Sequence, residues 1–150
     1  MSDFLEITLD KFTFKVATDR FYFSEGVWVK EDKGRIRIGL SDFVQQHSGD
    51  VAFADVRPAG TTLAAGEDLA NIETIKVNIT YTCPVSGKIV EVNPSMNDAP
   101  EAINKDPYDA GWLALMDVAD WDAERTRLLD PQAYFEIMVG QAEQETKKPS

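Results

Sequence analysis

Apolar and polar residues alternate along most of this chain, and glycine, proline or short polar runs interrupt the alternation. Phe4, Ile7, Leu9, Phe12, Phe14 and Val16 alternate loosely, and Phe12-Thr-Phe-Lys-Val16 reads as a strand. Phe21-Tyr-Phe-Ser-Glu-Gly-Val-Trp-Val29 and Arg35-Ile-Arg-Ile38 flank the polar run Lys30-Glu-Asp-Lys-Gly34, which predicts a hairpin. Val51-Ala-Phe-Ala-Asp-Val56 reads as a strand closed by the turn Arg57-Pro-Ala-Gly60. Leu69, Ala70, Ile72 and Ile75 then mix with polar residues, and Val77, Ile79, Tyr81 and Cys83 alternate with Asn78, Thr80 and Thr82. Lys88-Ile-Val-Glu-Val92 and Trp112-Leu-Ala-Leu-Met116 predict two further strands.

Helical spacing is confined to short stretches. Ser41 can cap a short helix over 41–48, with Phe43 and Val44 inward and Gly49 past its end. Asp120 can cap a helix over 121–129, and Asp130-Pro131 opens another through about residue 143. Tyr134, Ile137 and Met138 give that last helix an apolar face. Residues 93–104, with Pro94 and Pro100, read as a loop. The expectation is a mostly β domain over 21–145, with residues 1–20 as an N-terminal extension packed on it and 146–150 as a flexible tail.

Composition narrows the class. A chain of 150 residues fits one domain, and folding at this size hides roughly 70% of the extended chain's surface. No apolar run approaches the ~20 residues of a membrane helix. Met1-Ser-Asp-Phe-Leu-Glu lacks the basic start and apolar core of a signal peptide, so a cytoplasmic protein is expected, without membrane attachment. A single cysteine excludes an internal disulfide and suits a reducing compartment. The net charge of −11 argues against nucleic-acid binding, which needs cations against phosphate; it suits encounter with basic partner surfaces, and a high-salt habitat would give it equally.

Few residues are placed for chemistry of their own. The one histidine, His47, falls on the polar side of its helix with no nucleophile in a motif beside it. With one Cys and one His there is no metal-ligand spacing, and no glycine loop cradles a phosphate. Cys83 sits in a strand and reads as packing, because a reactive thiol needs exposure and a lowered pKa. Lys76 stands between two β-type runs, where a tight reversal presents its amine to solvent. From spacing alone it reads as a solvated charge protecting a strand edge.

The surrounding residues add a resemblance. Ile72-Glu-Thr-Ile-Lys76-Val is similar to the Glu-Ser-Val-Lys-Ala loop of the glycine-cleavage H-protein family, whose lysine carries lipoic acid in amide linkage. Cys83-Pro-Val-Ser-Gly87 resembles that family's Ala-Pro-Val-Ser-Gly at the same distance from the lysine. Gly39-Leu-Ser-Asp with Gly49-Asp50, and Asn104-Lys-Asp-Pro-Tyr-Asp-Ala-Gly-Trp112, match two further family segments in the same order. The resemblance implies a lipoyl-domain-like flattened hybrid barrel-sandwich and a non-catalytic carrier. Its lipoyl arm would be attached at Lys76, with Glu73, Thr74, Ile75 and Val77 as the residues around the cofactor. It implies lipoate ligase or another lipoate-attachment enzyme as one partner. Glu73 serves equally as a recognition residue for that enzyme or as a solvating strand charge.

One departure bears on the cargo. H proteins carry His-Glu-Trp near their start, beside the resting arm, and the acid helps hold the arm's amine. This chain has Gly26-Val27-Trp28 there. Keeping the loop while changing the pocket resembles the H-protein-like lipoate-binding proteins of bacterial sulfur oxidation. Those imply a carrier of sulfur intermediates between sulfur-transfer proteins and a heterodisulfide-reductase-like complex, and this is the preferred expectation. The alternatives are a glycine-cleavage carrier of the aminomethyl group, working with the glycine-cleavage enzymes, and a non-lipoylated interaction domain. A biotin carrier would have Met-Lys-Met, which is absent.

Overall fold

The computed structural model describes residues 3–147. The alternation at the start of the chain builds an antiparallel hairpin, β1 (Phe4–Leu9) with β2 (Phe12–Ala17). The expected strand over 21–29 is broken into β3 (Phe21–Tyr22) and β4 (Val27–Asp32), which pair with each other. Gly26 allows the intervening turn. Its φ is +94°, and a Cβ there would stand 2.1 Å from Val44 Cγ2. β4 then runs on into the expected polar turn, leaving only Lys33-Gly34 before β5 (Arg35–Leu40). Both residues take positive φ, 53° and 83°, as a two-residue hairpin requires.

Helix α1 (Asp42–Ser48) forms as expected, with Ser41 Oγ accepting from Val44 N at 3.3 Å. Strands β6 (Val51–Val56), β7 (Thr62–Leu63), β8 (Asp68–Thr74), β9 (Asn78–Thr82) and β10 (Gly87–Val92) follow. The stretch expected as a loop over 93–104 holds two single helical turns, α2 (Ser95–Asp98) and α3 (Ala102–Lys105). Asn93 organises it: its amide donates to Ala110 O and Trp112 O, and its Oδ1 accepts from Ser95 N. β11 (Ala114–Asp117) begins after Trp112, which is half-buried under the Arg37 guanidinium.

The helix expected over 121–129 is shorter. Asp120 caps only α4 (Trp121–Glu124), and a tighter 3-10 turn, Arg125–Arg127, replaces the rest. α5 (Pro131–Lys147) starts with proline as predicted, its first turn capped by Asp130 Oδ1 accepting from Ala133 N at 2.8 Å. It runs past residue 143 into the segment expected as a tail, and 148–150 lie outside the described residues. Its inward face is Tyr134, Met138 and Ala142, whereas Ile137 is 38% exposed.

The strands form a six-stranded sheet, β3-β4-β5-β11-β10-β7, and a three-stranded sheet, β6-β8-β9, beside the N-terminal hairpin. The architecture is the expected mostly β sandwich with a short helix and C-terminal helices. The main core draws on both larger sheets, with Val27, Val29, Ile36, Ile38, Leu69, Ile72, Ile89 and Met116 buried together. Alternation along β4 sends Trp28 into a second cluster. There it meets Phe14 and Val16 of the hairpin, Tyr22, Phe43, and the inward face of α5. This second cluster fixes α5 against the hairpin and α1.

Candidate functional site

β8 and β9 pair up to Glu73↔Asn78, so the reversal that carries Lys76 is short. Thr74 closes it. Thr74 N donates to Val77 O at 2.8 Å, and Thr74 Oγ1 accepts from Lys76 N at 3.1 Å and Val77 N at 3.0 Å. The same hydroxyl donates to Ser48 O at 2.7 Å, and Ile75 N donates to Asp50 O at 3.1 Å. The loop is thereby tied to the end of α1 and the start of β6. Lys76 is exposed on the tip, between Ile75 at 77% and Val77 at 42% exposure. Thr74, expected among the residues around a cofactor, is buried with its hydroxyl engaged inside the loop. Its part is to shape the turn. Glu73 lies exposed on the outer face of the sheet.

The stem of Lys76 passes close over Gly49. A Cβ on Gly49 would sit 3.3 Å from Lys76 Cδ and 3.6 Å from Cγ. Gly49 also has φ +91°, so a side chain there would strain the backbone as well as press on the lysine. Beside the loop base opens a cavity of about 510 Å³ walled by α1, β9 and α5. Ser48, Ile79 and Tyr81 line its loop side, and Gln141, Gln144 and Glu145 its helix side. His47 Nδ1 pairs with Glu145 Oε1 across the α1–α5 seam and stacks on Phe43. Burial raises the Tyr81 hydroxyl pKa above its ordinary value, and a hydrogen bond with Ser48 offsets part of that. The size suits a small ligand or cofactor arm.

Val27, aligned by sequence with the family acid, is fully buried in the main core and does not line the cavity. An acid is present nonetheless. Glu25, in the turn before Gly26, lines the cavity, and its Oε1 accepts from Thr82 Oγ1 at 3.1 Å and Thr82 N at 3.3 Å. Sequence reasoning passed over Glu25, because only the β3–β4 turn brings it to β9. It also passed over the α5 wall, whose contribution comes from residues distant in sequence. Cys83 is packing as expected: it is fully buried, donates to Val85 O at 3.1 Å, and burial pushes its thiol up to about 11.

Known proteins resemble this arrangement throughout. The sequence model of the glycine cleavage H-protein family matches residues 20–141. Glycine cleavage system H protein 4 of Aquifex aeolicus is 37% identical over 133 residues, covering 89% of this chain and 77% of that protein. A glycine cleavage system H protein of Listeria monocytogenes is 37% identical over 120 residues, covering 80% of this chain and 95% of its own. The crystal structure of a glycine cleavage system H protein from Mycobacterium marinum superposes with a TM-score of 0.71 at 30% identity, covering 81% of this chain and 97% of that one. These relatives all carry the glycine-cleavage name, so they support the family and leave the finer expectation, a place beside the sulfur-oxidation group, unconfirmed. With the loop, the fold and these relatives in agreement, the chain belongs to the glycine cleavage H-protein family.

Proposed function

We propose that this chain is a lipoyl carrier of glycine cleavage, with lipoate in amide linkage to Lys76 and the aminomethyl group of glycine as its cargo. As a member of its family it is a carrier and not a catalyst, and the family's cofactor is lipoate bound covalently to lysine. The observation that carries the site assignment is Lys76 itself, exposed on a hydrogen-bonded tip, its stem over Gly49 and a cavity at its base. The lipoyl group supplies the redox and group-transfer chemistry, while the protein supplies position and surface. Thr74 fixes the lysine's origin. Ser48, Ile79 and Tyr81 offer the arm a partly apolar resting wall. Glu25, held by Thr82, offers a carboxylate to a cationic cargo in that cavity. Its partners are then a lipoate-attachment enzyme and the glycine-cleavage enzymes, in the cytoplasm, with 21–145 as the carrier unit and 1–20 as an N-terminal extension packed on it. No described helix is long and apolar enough to cross a membrane.

One observation favours a second reading, a carrier of sulfur intermediates serving a heterodisulfide-reductase-like complex. The acid position of the family triplet is Val27, turned into the core. Intact-protein and peptide mass spectrometry on protein from its native host tests the carrier role. A lipoyl adduct on the Lys76 peptide is expected, absent in Lys76→Arg. Unmodified Lys76 in a host that lipoylates other proteins would sink it. Incubating the modified chain with glycine decarboxylase and aminomethyltransferase separates the cargoes. Turnover supports the glycine reading, and its absence with a lipoylated chain favours sulfur.

A further inference from the structure

The outer face of the three-stranded sheet carries an apolar group with no packing role. A bulge between Val51 and Phe53 sets Phe53 opposite Glu73, which in turn lies opposite Asn78. Ile72 and Thr74 flank Glu73 and are buried, so Phe53, Glu73 and Asn78 share the outward face beside the lysine loop. Phe53 is 66% exposed, and among the described large apolar side chains only Ile75 is more so. β6 reaches the core through Val51 and Ala54 without it. An exposed phenylalanine on an edge strand invites unwanted pairing, so its presence marks a contact.

The rim is acidic. Asp50, Asp55 and Glu73 are exposed around the patch, and β6, β8 and β9 contain no Lys or Arg. Lys76 is the only basic side chain between Arg57 and Lys88. We propose that Phe53 is the apolar anchor by which the enzyme that acylates Lys76 grips this carrier, seating an apolar pocket rimmed by Lys and Arg over Phe53, Ile75 and Val77. The proposal rests on the carrier reading and adds a recognition residue outside the loop.

Reach selects this occupant. In acylation the free amine of Lys76 attacks the acyl carbon of an activated lipoyl donor, an acyl adenylate or a thioester. The C–N bond forms, the donor's leaving group departs with its bonding pair, and the amine's proton passes to solvent. That enzyme must close over the tip itself, whereas enzymes acting at the end of the arm need not touch it. Charge selects it again, because an acidic rim steers toward a basic one and repels a second copy of this same face.

The test is steady-state acylation of the unmodified full chain by the lipoate-attaching enzyme of the same host, followed by intact mass at two salt concentrations. F53A is expected to raise KM about tenfold with kcat and melting temperature unchanged, an effect the size of one lost aromatic contact. F53Y is expected to restore it, and F12A, which removes a comparably exposed ring from the hairpin, to leave KM alone. Higher salt is expected to raise the KM of the parent chain. F53A acylated like the parent overturns the anchor and leaves the carrier role standing. So does an equal loss in F12A, or a concentration-dependent dimer that F53A abolishes. A parent chain never acylated at Lys76 overturns the carrier reading, and the anchor with it.

Discussion

The lysine loop is tied to Ser48 at the edge of the cavity that helix α5 helps to wall, and the two are fixed in different ways. At the loop, one hydroxyl directs the backbone: Thr74 Oγ1 takes two amide hydrogens and gives its own to Ser48 O. Little apolar area is buried there, and Ile75, Lys76 and Val77 are left to solvent. α5 is placed by packing. Tyr134 stacks on Tyr22 with centroids 4.5 Å apart and planes 6° apart, and Met138 and Ala142 continue the same face against the hairpin cluster. A single polar hub sets the direction of a few backbone bonds while freeing every side chain a partner must read. Aromatic packing sets the position of a whole helix and frees none. The first suits a presented residue, the second a wall.

The comparison breaks most visibly if the wall is hollowed. Tyr134→Ala removes a ring that is 1% exposed and strands Ser41, whose hydroxyl lies 2.9 Å from Tyr134 Oη. A large-to-small change of this kind costs about 3–5 kcal/mol. Urea unfolding should show that loss with an unchanged slope. A loss below about 1 kcal/mol would mean that α5 is not held by this cluster.

These two regions were unequally legible in the sequence, for the same reason. The loop is built from near neighbours: period-2 alternation from Asn78 to Cys83, a hydroxyl residue two before the lysine, and a proline and glycine after. Local pattern therefore gave the strands, the reversal and the exposure of Lys76. α1 was equally plain, because Ser41 and Gly49 bracket it. The wall is built from residues far apart. Tyr22, Phe14 and Tyr134 meet only after the hairpin and α5 have folded onto the same face of β4. Helical spacing put Ile137 inward with Tyr134 and Met138, but the hairpin sits one row round, against Ala142. Glu25 was hidden similarly, since its value depends on Thr82 across the cavity. Thr74 was found by motif, but its hydrogen bonding within the turn was not, because a motif names a residue without saying which way it points.

Alkali sharpens the comparison by loosening one side before the other. Burial holds the Cys83 thiol at about 11, above its ordinary 9.0, and pushes the Tyr134 hydroxyl up to about 12, above its ordinary 10.0. Both folded values are raised, so the stability tied to keeping each group neutral is fully present below the unfolded value. It is lost as pH rises through the folded one. For Cys83 that window runs from pH 9.0 to about 11, and the loss reaches roughly 2–3 kcal/mol. Tyr134 follows at higher pH. Urea unfolding from pH 8 upward should therefore decline first through the strand-side core. Cys83→Ala, which removes the titrating thiol, should flatten that first decline. A parent and variant that fall together would assign the alkaline loss elsewhere.

The smallest effect on stability is the most telling about the loop. Thr74→Val keeps the shape of the side chain and removes only its hydroxyl. Ser48 O, at the end of α1, loses a donor, and the amides of Lys76 and Val77 lose their acceptor. Because the tip is exposed, water replaces the partners of both amides, and the net cost is about 1–2 kcal/mol. Global unfolding will register this weakly. Hydrogen exchange should register it strongly, with the Lys76 and Val77 amides losing protection while the β8–β9 ladder amides keep theirs. Thr74→Ser, which restores the hydroxyl without the methyl, should recover most of that protection. If Thr74→Val leaves both amides protected, the turn is set by strand pairing and not by the hydroxyl. If it instead exposes the whole ladder, the loop and sheet unfold as one unit. The distinction between a directed tip and a packed wall would then fail at the residue on which it was drawn.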